Sequence, residues 1–231
     1  MSPDETQSPA PPPDPAAARV VLFDFDGVLM HGDAFALFAR ERYARSLGCK
    51  LMALLSAPGV VLLLPFSRNW PLRLLARIAL LGMSERTYRR KAEAFAGVLV
   101  RRPRQFCRDG VRALRQHQAA GDRVIVVTGC EHHLVSSMLS ELGLTDIEIV
   151  ASQLRPSAIG MRLLRHNVGA RKVKSLAQYG VSEWQLAYSD SLQDAPMLKP
   201  ADEAVLVNGT PRLCKKVERA LGRAVTRVAW Y

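Results

Sequence analysis

Short apolar runs alternate along the chain with longer stretches in which apolar residues recur every three or four positions, the signature of strands separated by helices. The first run, Val20-Val21-Leu22-Phe23, passes directly into Asp24-Phe25-Asp26-Gly27-Val28. It predicts a buried strand that delivers two carboxylates to a turn, with Asp24 and Asp26 on one side and Phe25 pointing away. Further strands are predicted over Arg123 to Gly129, around 147–152, and over Trp184 to Asp190, with Glu203 to Asn208 as the closing strand. Helical periodicity covers Asp33 to Leu47, Trp70 to Leu81, Ser84 to about Leu99 with Ser84 as N-cap, Arg104 to Ala120, 131–142, Gly169 to Gln178 and the basic segment 210–221. Leu154 to Leu164 reads as a short hairpin or flap around Gly160. This alternation predicts an α/β fold, a Rossmann-like parallel sheet covered on both faces.

One stretch does not fit that rhythm. From Leu51 to Ser67 there is no charged residue, and Pro58-Gly59 interrupts the run. It is at the short limit for crossing a bilayer core of about 30 Å, so a re-entrant or interfacial hairpin is expected, with its corner at Pro58-Gly59 and its end at Pro65. The following segment sets Leu72, Leu74, Leu75 and Ile78 beside Arg73 and Arg77 and carries Trp70, an amphipathic pattern suited to anionic lipid. An ordinary buried helical hairpin over 51–82 satisfies the same periodicity.

At 231 residues and 48% hydrophobic, the chain can build one full core with a smaller inserted module. Its formal net charge of +11 calls for an anionic partner: phosphate, nucleic acid or an acidic membrane surface. Nucleic acid is the least expected of these, because no basic patch is interleaved with aromatic residues for base stacking. Cys49, Cys107, Cys130 and Cys214 form no CxxC pair, so free thiols in a reducing compartment are expected. Residues 1–18 are rich in Pro and Ala and lack the basic start and apolar core of a signal peptide. A disordered tail is expected there, with the protein on the cytoplasmic side.

In an open parallel sheet, function sits at the carboxyl ends of the strands. Three predicted strands end in Asp24/Asp26, in Thr128-Gly129 and in Asp190 with Asp194 four residues on, and Lys172 opens the helix before the last of them. Two carboxylates this close require a cation between them, a division into acid and base, or both. A hydroxyl and glycine at a strand end suit phosphate, and a lysine in a helix's first turn opposes the macrodipole and is better explained by an anion. The set is competent for phosphoryl transfer: one carboxylate attacks phosphorus, another handles the proton, and Mg²⁺, lysine and hydroxyl balance charge. His132-His133 at a helix start reads as surface or capping, and Cys130 as packing.

Asp24-Phe25-Asp26-Gly27-Val28, Val127-Thr128-Gly129, Gly169-Ala170-Arg171-Lys172 and Ser189-Asp190-Ser191-Leu192-Gln193-Asp194 resemble, in order and spacing, the four motifs of the haloacid dehalogenase superfamily. The resemblance implies a nucleophilic Asp24, a general acid/base Asp26, phosphate contacts from Thr128, Gly129 and Lys172, and a Mg²⁺ site of Asp24, Asp190 and the backbone carbonyl of Asp26. By the same likeness Asp194 supports Lys172 and the metal's water shell. Val28 stands where many members have threonine, at a position that mainly shapes the turn. About a hundred residues separate the first two motifs, which matches a helical cap inserted after the first strand, as in the phosphoserine phosphatase branch. The implied division is a tail over 1–18, a catalytic core of 19–32 and 104–231, and a cap over 33–103.

With its hydrophobic cap, Ile149-Val150-Ala151-Ser152-Gln153-Leu154 and Tyr188 to Leu198, the chain looks most like bacterial phosphatidylglycerophosphatases of the C type. That likeness implies hydrolysis of phosphatidylglycerol phosphate at the inner face of the cytoplasmic membrane, with attachment through about 51–82. A soluble hydrolase of a small phosphorylated metabolite and a non-catalytic basic membrane adaptor are the alternatives.

Overall fold

The computed structural model describes residues 18–63 and 69–231. The expected proline-rich tail and the helix-ending role of Pro65 lie outside the described residues, as does the side chain of Trp70.

Seven strands form one sheet: β1 (Val20–Phe23), β2 (Arg123–Glu131), β3 (Glu148–Ser157), β4 (Gly160–Arg165), β5 (Leu186–Ser189), β6 (Glu203–Val207) and β7 (Thr226–Val228). Their order is β4-β3-β2-β1-β5-β6-β7, and every pair is parallel except β3 with β4. The chain first builds outward from β1 through β2, then returns to the other side through β5, so β1 and β5 flank the topological switch point. Crevices at that point are where open α/β sheets bind ligands.

Strand alternation divides the core. Leu22, Ile125, Val127, Ala187 and Leu206 face one side, where α7 (Ala170–Gln178), α8 (Ala195–Leu198) and α9 (Pro211–Leu221) supply Leu176, Met197 and Val217. Val21, Phe23, Val124, Val126 and Tyr188 face the other, against Leu114 of α5 (Arg108–Ala119) and Leu134, Val135 and Met138 of α6 (His132–Glu141).

Four helices lie between β1 and α5: α1 (Ala34–Arg45), α2 (Leu47–Leu63), α3 (Asn69–Ala79) and α4 (Glu85–Val100). Asp33 caps α1 by accepting from Ala36 N, and Ser84 caps α4 by accepting from Thr87 N. Phe38 of α1 packs edge-on against Tyr88 and Phe95 of α4, and all three belong to the same core cluster as β1. Burial thus joins α1 and α4 to the sheet.

α2 has no comparable burial. Leu54 is 70% exposed, Leu55 67% and Leu62 72%. The hairpin corner expected at Pro58-Gly59 is not there, because α2 runs straight through Pro58. A proline inside a helix costs one backbone hydrogen bond and some crowding, and here seventeen consecutive helical residues absorb it. The sharp bend instead separates α1 from α2, at 104°. Among the described residues, no single helix is long and apolar enough to cross a membrane.

Two further expectations change. The helix expected from Arg104 begins at Arg108, capped by the Cys107 thiol, which accepts from Gly110 N. The sheet does not close at 203–208, since β7 follows α9 and pairs with β6. The hairpin around Gly160 forms as expected, and it is anchored to α3. Gly82 N donates to Ile159 O, Met161 N donates to Leu80 O, and Arg77 donates to Met161 O at 2.7 Å and to Ser157 Oγ at 3.1 Å. Gly160 sits at φ +125°, and a Cβ there would come within 2.4 Å of Leu80 O. Only glycine permits this approach.

Candidate active site

β1 ends where Asp24 N donates to Tyr188 O at 3.0 Å, tying the first carboxylate to the end of β5. The chain then turns tightly, with Leu29 N and Met30 N both bonded to Phe25 O, and Gly27 stands at φ +79°. A Cβ on Gly27 would lie 1.9 Å from Asp190 Oδ2, so the glycine lets the Asp190 carboxylate pack against the turn that carries Asp26. The ends of β1 and β5, two of the three strand ends the sequence singled out, are brought together in this way.

Lys172 joins them from the first turn of α7. It is only 2% exposed, and its Nζ lies 2.9 Å from Asp24 Oδ1 and 2.7 Å from Asp194 Oδ2. Asp194 Oδ2 also accepts from Ser189 Oγ at 2.8 Å. Burial opposes the lysine's charge, but Asp24 and Asp194 outweigh it and raise its pKa, so Lys172 is a permanent cation here.

The carboxylates respond to their own surroundings. Burial pushes Asp24 well above the ordinary carboxylate range, with Lys172 pulling the other way. Asp26 rises to about 7, chiefly through burial and against the lowering effect of Ala34 N–H, which donates to its Oδ1 at 2.8 Å. Asp190 is raised by burial and then by the charge of Asp194. Four aspartates therefore share one buried lysine, and the pocket is short of positive charge.

Thr128 is fully buried at the end of the apolar part of β2, with its Oγ1 accepting from Cys130 N at 2.9 Å. This turn is held by residues that no sequence spacing signalled. Ser152 Oγ donates to Gly129 O at 2.6 Å and accepts from Asn167 N at 2.8 Å, while Asn167 Nδ2 donates to Thr128 O and Val150 O. Another unsignalled pair lies just beyond: Glu131 caps α6 through Leu134 N and accepts from Tyr88 OH of α4 at 2.5 Å.

Cys130 is buried, and burial followed by the charges of Asp26 and Asp33 pushes its thiol well up, so it is no nucleophile. His132 is exposed and His133 Nε2 meets Glu93 at 3.1 Å. Among the described residues no group of three or more His, Cys, Asp or Glu side chains is placed to hold a metal.

The family model for haloacid dehalogenase-like hydrolases matches residues 21–199, from the strand that carries Asp24 to just past Asp194. The chain belongs to this family. Its fold is shared with solved structures of low identity. A protein of unknown function from Bordetella pertussis Tohama I superposes with a TM-score of 0.68 at 20% identity, covering 91% of this chain and 99% of that one. A HAD family hydrolase from Salmonella enterica serovar Typhi gives 0.60 at 14% identity, covering 93% and 69%. A substrate-bound phosphoserine phosphatase gives 0.56 at 16%, covering 91% and 92%. Among curated proteins, no sequence matches. Fold and family together make the chain a haloacid dehalogenase-like hydrolase.

Proposed function

We propose that this HAD hydrolase is a Mg²⁺-dependent phosphomonoesterase that works through an aspartyl-phosphate, and that its substrate is a lipid phosphomonoester, phosphatidylglycerol phosphate, at the cytoplasmic face of a bacterial inner membrane. The observation that carries the chemistry is the division between two carboxylates on one strand end. Asp24 is held by the permanently charged Lys172, while Asp26, two residues on, makes no ion pair and titrates near 7. Burial raises both carboxyls, but only Asp24 has a cation in contact that favours its ionised, nucleophilic form, and Asp26 is left to carry the proton.

An Asp24 carboxylate oxygen attacks phosphorus and the bond to the leaving alkoxide breaks, with Asp26 donating its proton to that oxygen. Asp26, now ionised, accepts a proton from water as the water oxygen attacks phosphorus, and Asp24 is released. Lys172 balances charge on Asp24 and on the equatorial phosphate oxygens. Because Thr128 Oγ1 already accepts from Cys130 N, its own O–H is left to donate.

The residues fit Mg²⁺. All nearby donors are hard oxygens, the pocket lacks positive charge, and this ion is commonly held by one or two carboxylates plus substrate phosphate and water. Asp24, Asp190 and the Asp26 carbonyl would hold it. When bound, the ion supplies charge neutralisation for nucleophile and phosphate.

Support for a lipid substrate comes from α2, whose leucines are exposed to a degree that burial in a core would not allow, and from the excess of arginine. The deciding experiment is a phosphate-release screen with Mg²⁺ over phosphatidylglycerol phosphate in mixed micelles, phosphoserine and other soluble phosphomonoesters, with Asp24→Asn as the blank. Release is expected from the lipid and abolished in the variant. Release that persists in Asp24→Asn would remove Asp24 as the nucleophile. A preference for phosphoserine would overturn the lipid assignment and leave a soluble phosphatase.

A further inference from the structure

The sequence contains 21 acidic residues, yet none lies between Arg42 and Ser84, and none between Ile149 and Ser182. These two acid-free segments are far apart in the chain. The fold brings them together. Arg77, Leu80 and Gly82 of the first bond to Ser157, Ile159 and Met161 of the second, while Tyr43 OH donates to Leu75 O at 2.7 Å and Cys49 Sγ contacts Ile78 O, fixing α3 to α1 and α2.

On both segments, apolar side chains stand in solvent, with cations on the same segments. Ile159 at the hairpin tip is 61% exposed, and Leu163 and Leu164 on β4 are exposed, as are Leu51, Met52, Leu54, Leu55, Val61 and Leu62 on α2. Lys50, Arg73, Arg155, Arg162 and Arg171 are also exposed, and none forms an ion pair with a carboxylate of the described residues.

Arg155 and Arg162 are paired directly across the β3–β4 ladder. Like charges opposite one another on an antiparallel pair are destabilising, and folding gains nothing from this pair. An anion outside the protein would relieve it.

We propose that the β3–β4 hairpin and the α2–α3 pair form a single docking surface for an anionic bilayer, with the Arg155–Arg162 pair contacting lipid phosphates while Ile159 and the α2 leucines enter the interface. Charge complementarity selects the occupant. A protein partner for an apolar helix needs no acid-free surround, whereas a negatively charged leaflet attracts basic residues and repels acidic ones over the whole contact. The surface also adjoins the catalytic pocket. β3 runs on past Ser152, which holds the phosphate turn, and His166 after β4 is kept below its usual pKa by burial and by Arg73 of α3 and Arg171 of α7. A headgroup held on this face is therefore beside the site. The inference deepens the lipid-phosphatase reading and rests on it for the choice of substrate.

The test uses the full chain carrying Asp24→Asn, which removes turnover, in co-sedimentation with vesicles of phosphatidylcholine alone or with 30% phosphatidylglycerol as a chosen fraction, about the surface charge of an anionic membrane. Binding is expected only with the anionic lipid and is expected to fall with salt. Arg155→Glu/Arg162→Glu should weaken it at least 25-fold, at roughly fivefold per arginine near a charged surface. Ile159→Ser should lower the binding that survives high salt. Both variants, made in the active background, should hydrolyse a soluble phosphomonoester at the wild-type rate, which shows that they are folded. Equal binding to both vesicle types, or no loss in either variant, would overturn the proposal. So would a concentration-dependent dimer in the absence of lipid that the Ile159 and α2 residues hold together. Vesicle binding without lipid turnover in the active protein would leave this surface standing and remove the substrate assignment. Lipid turnover without binding would do the reverse.

Discussion

Asp26→Asn should separate function from stability. The native carboxyl titrates near 7 against an ordinary value of 3.8, because burial disfavours its charge more than the Ala34 N–H bond favours it. The folded state therefore holds the proton more tightly than the unfolded chain. The group's full contribution is present below about pH 4 and is lost as the pH rises through 7. At 1.36 kcal/mol per pH unit of pKa difference, the loss is about 4 kcal/mol, or about 2 kcal/mol if water enters the pocket as the group ionises.

Asparagine removes this liability and keeps the contact, since its carbonyl oxygen can still accept from Ala34 N. The variant should match the wild type at pH 4 and exceed it by about 2–4 kcal/mol at pH 8, while losing phosphate release. The measurement is urea unfolding across pH 4 to 8 in a chelator, so that no metal holds Asp26 ionised. A stability difference that stays constant with pH would refute the assignment of a raised pKa. A variant less stable at pH 8 would show that Asp26 is structurally required as an anion.

Lys172→Met should abolish activity and cost about 3–5 kcal/mol at neutral pH in chemical denaturation, because it leaves Asp24 and Asp194 buried without their shared cation. Tyr88→Phe should cost about 1–3 kcal/mol, since it removes the only side-chain donor to buried Glu131 among the described residues, and thermal unfolding checks it. Asn167→Ala should raise KM for a soluble phosphomonoester more than it lowers kcat, as the Thr128-Gly129 turn loses one of its restraints; an unchanged KM would remove Asn167 from the support of that turn.

The sheet and its strand-end residues were readable because each rests on a local rule. An apolar run four or more residues long that ends in Asp or in Thr-Gly is a buried strand followed by a functional turn, wherever the strand sits in the sheet. The supports were not readable. Asn167 reaches Thr128 and Val150 only after β3 and β4 have folded back, and Tyr88 finds Glu131 only once α4 packs on α6. Nothing in the local sequence distinguishes that asparagine or that tyrosine from surface residues. β7 was missed because Thr226-Arg227-Val228 is three residues long with only Val228 half-buried against the core, so it carries no hydrophobic period.

α2 is the instructive error, because the rule was applied to the wrong competitor. Pro58-Gly59 predicts a corner when the flanking residues have somewhere better to be, such as a second helix against which to fold. Here Leu54, Leu55, Val61 and Leu62 face solvent on either side of the proline, so a turn at that point would bury none of them. One missing hydrogen bond then costs less than breaking a helix whose carbonyls and N–H groups would need new partners in an apolar stretch. The same logic bears on a bilayer interface. Where water is scarce, an unbroken helix keeps its backbone groups satisfied and a corner does not. An unbroken, exposed α2 whose one charged residue, Lys50, lies in its first turn is thus better matched to lying in a membrane surface than the hairpin the proline suggested.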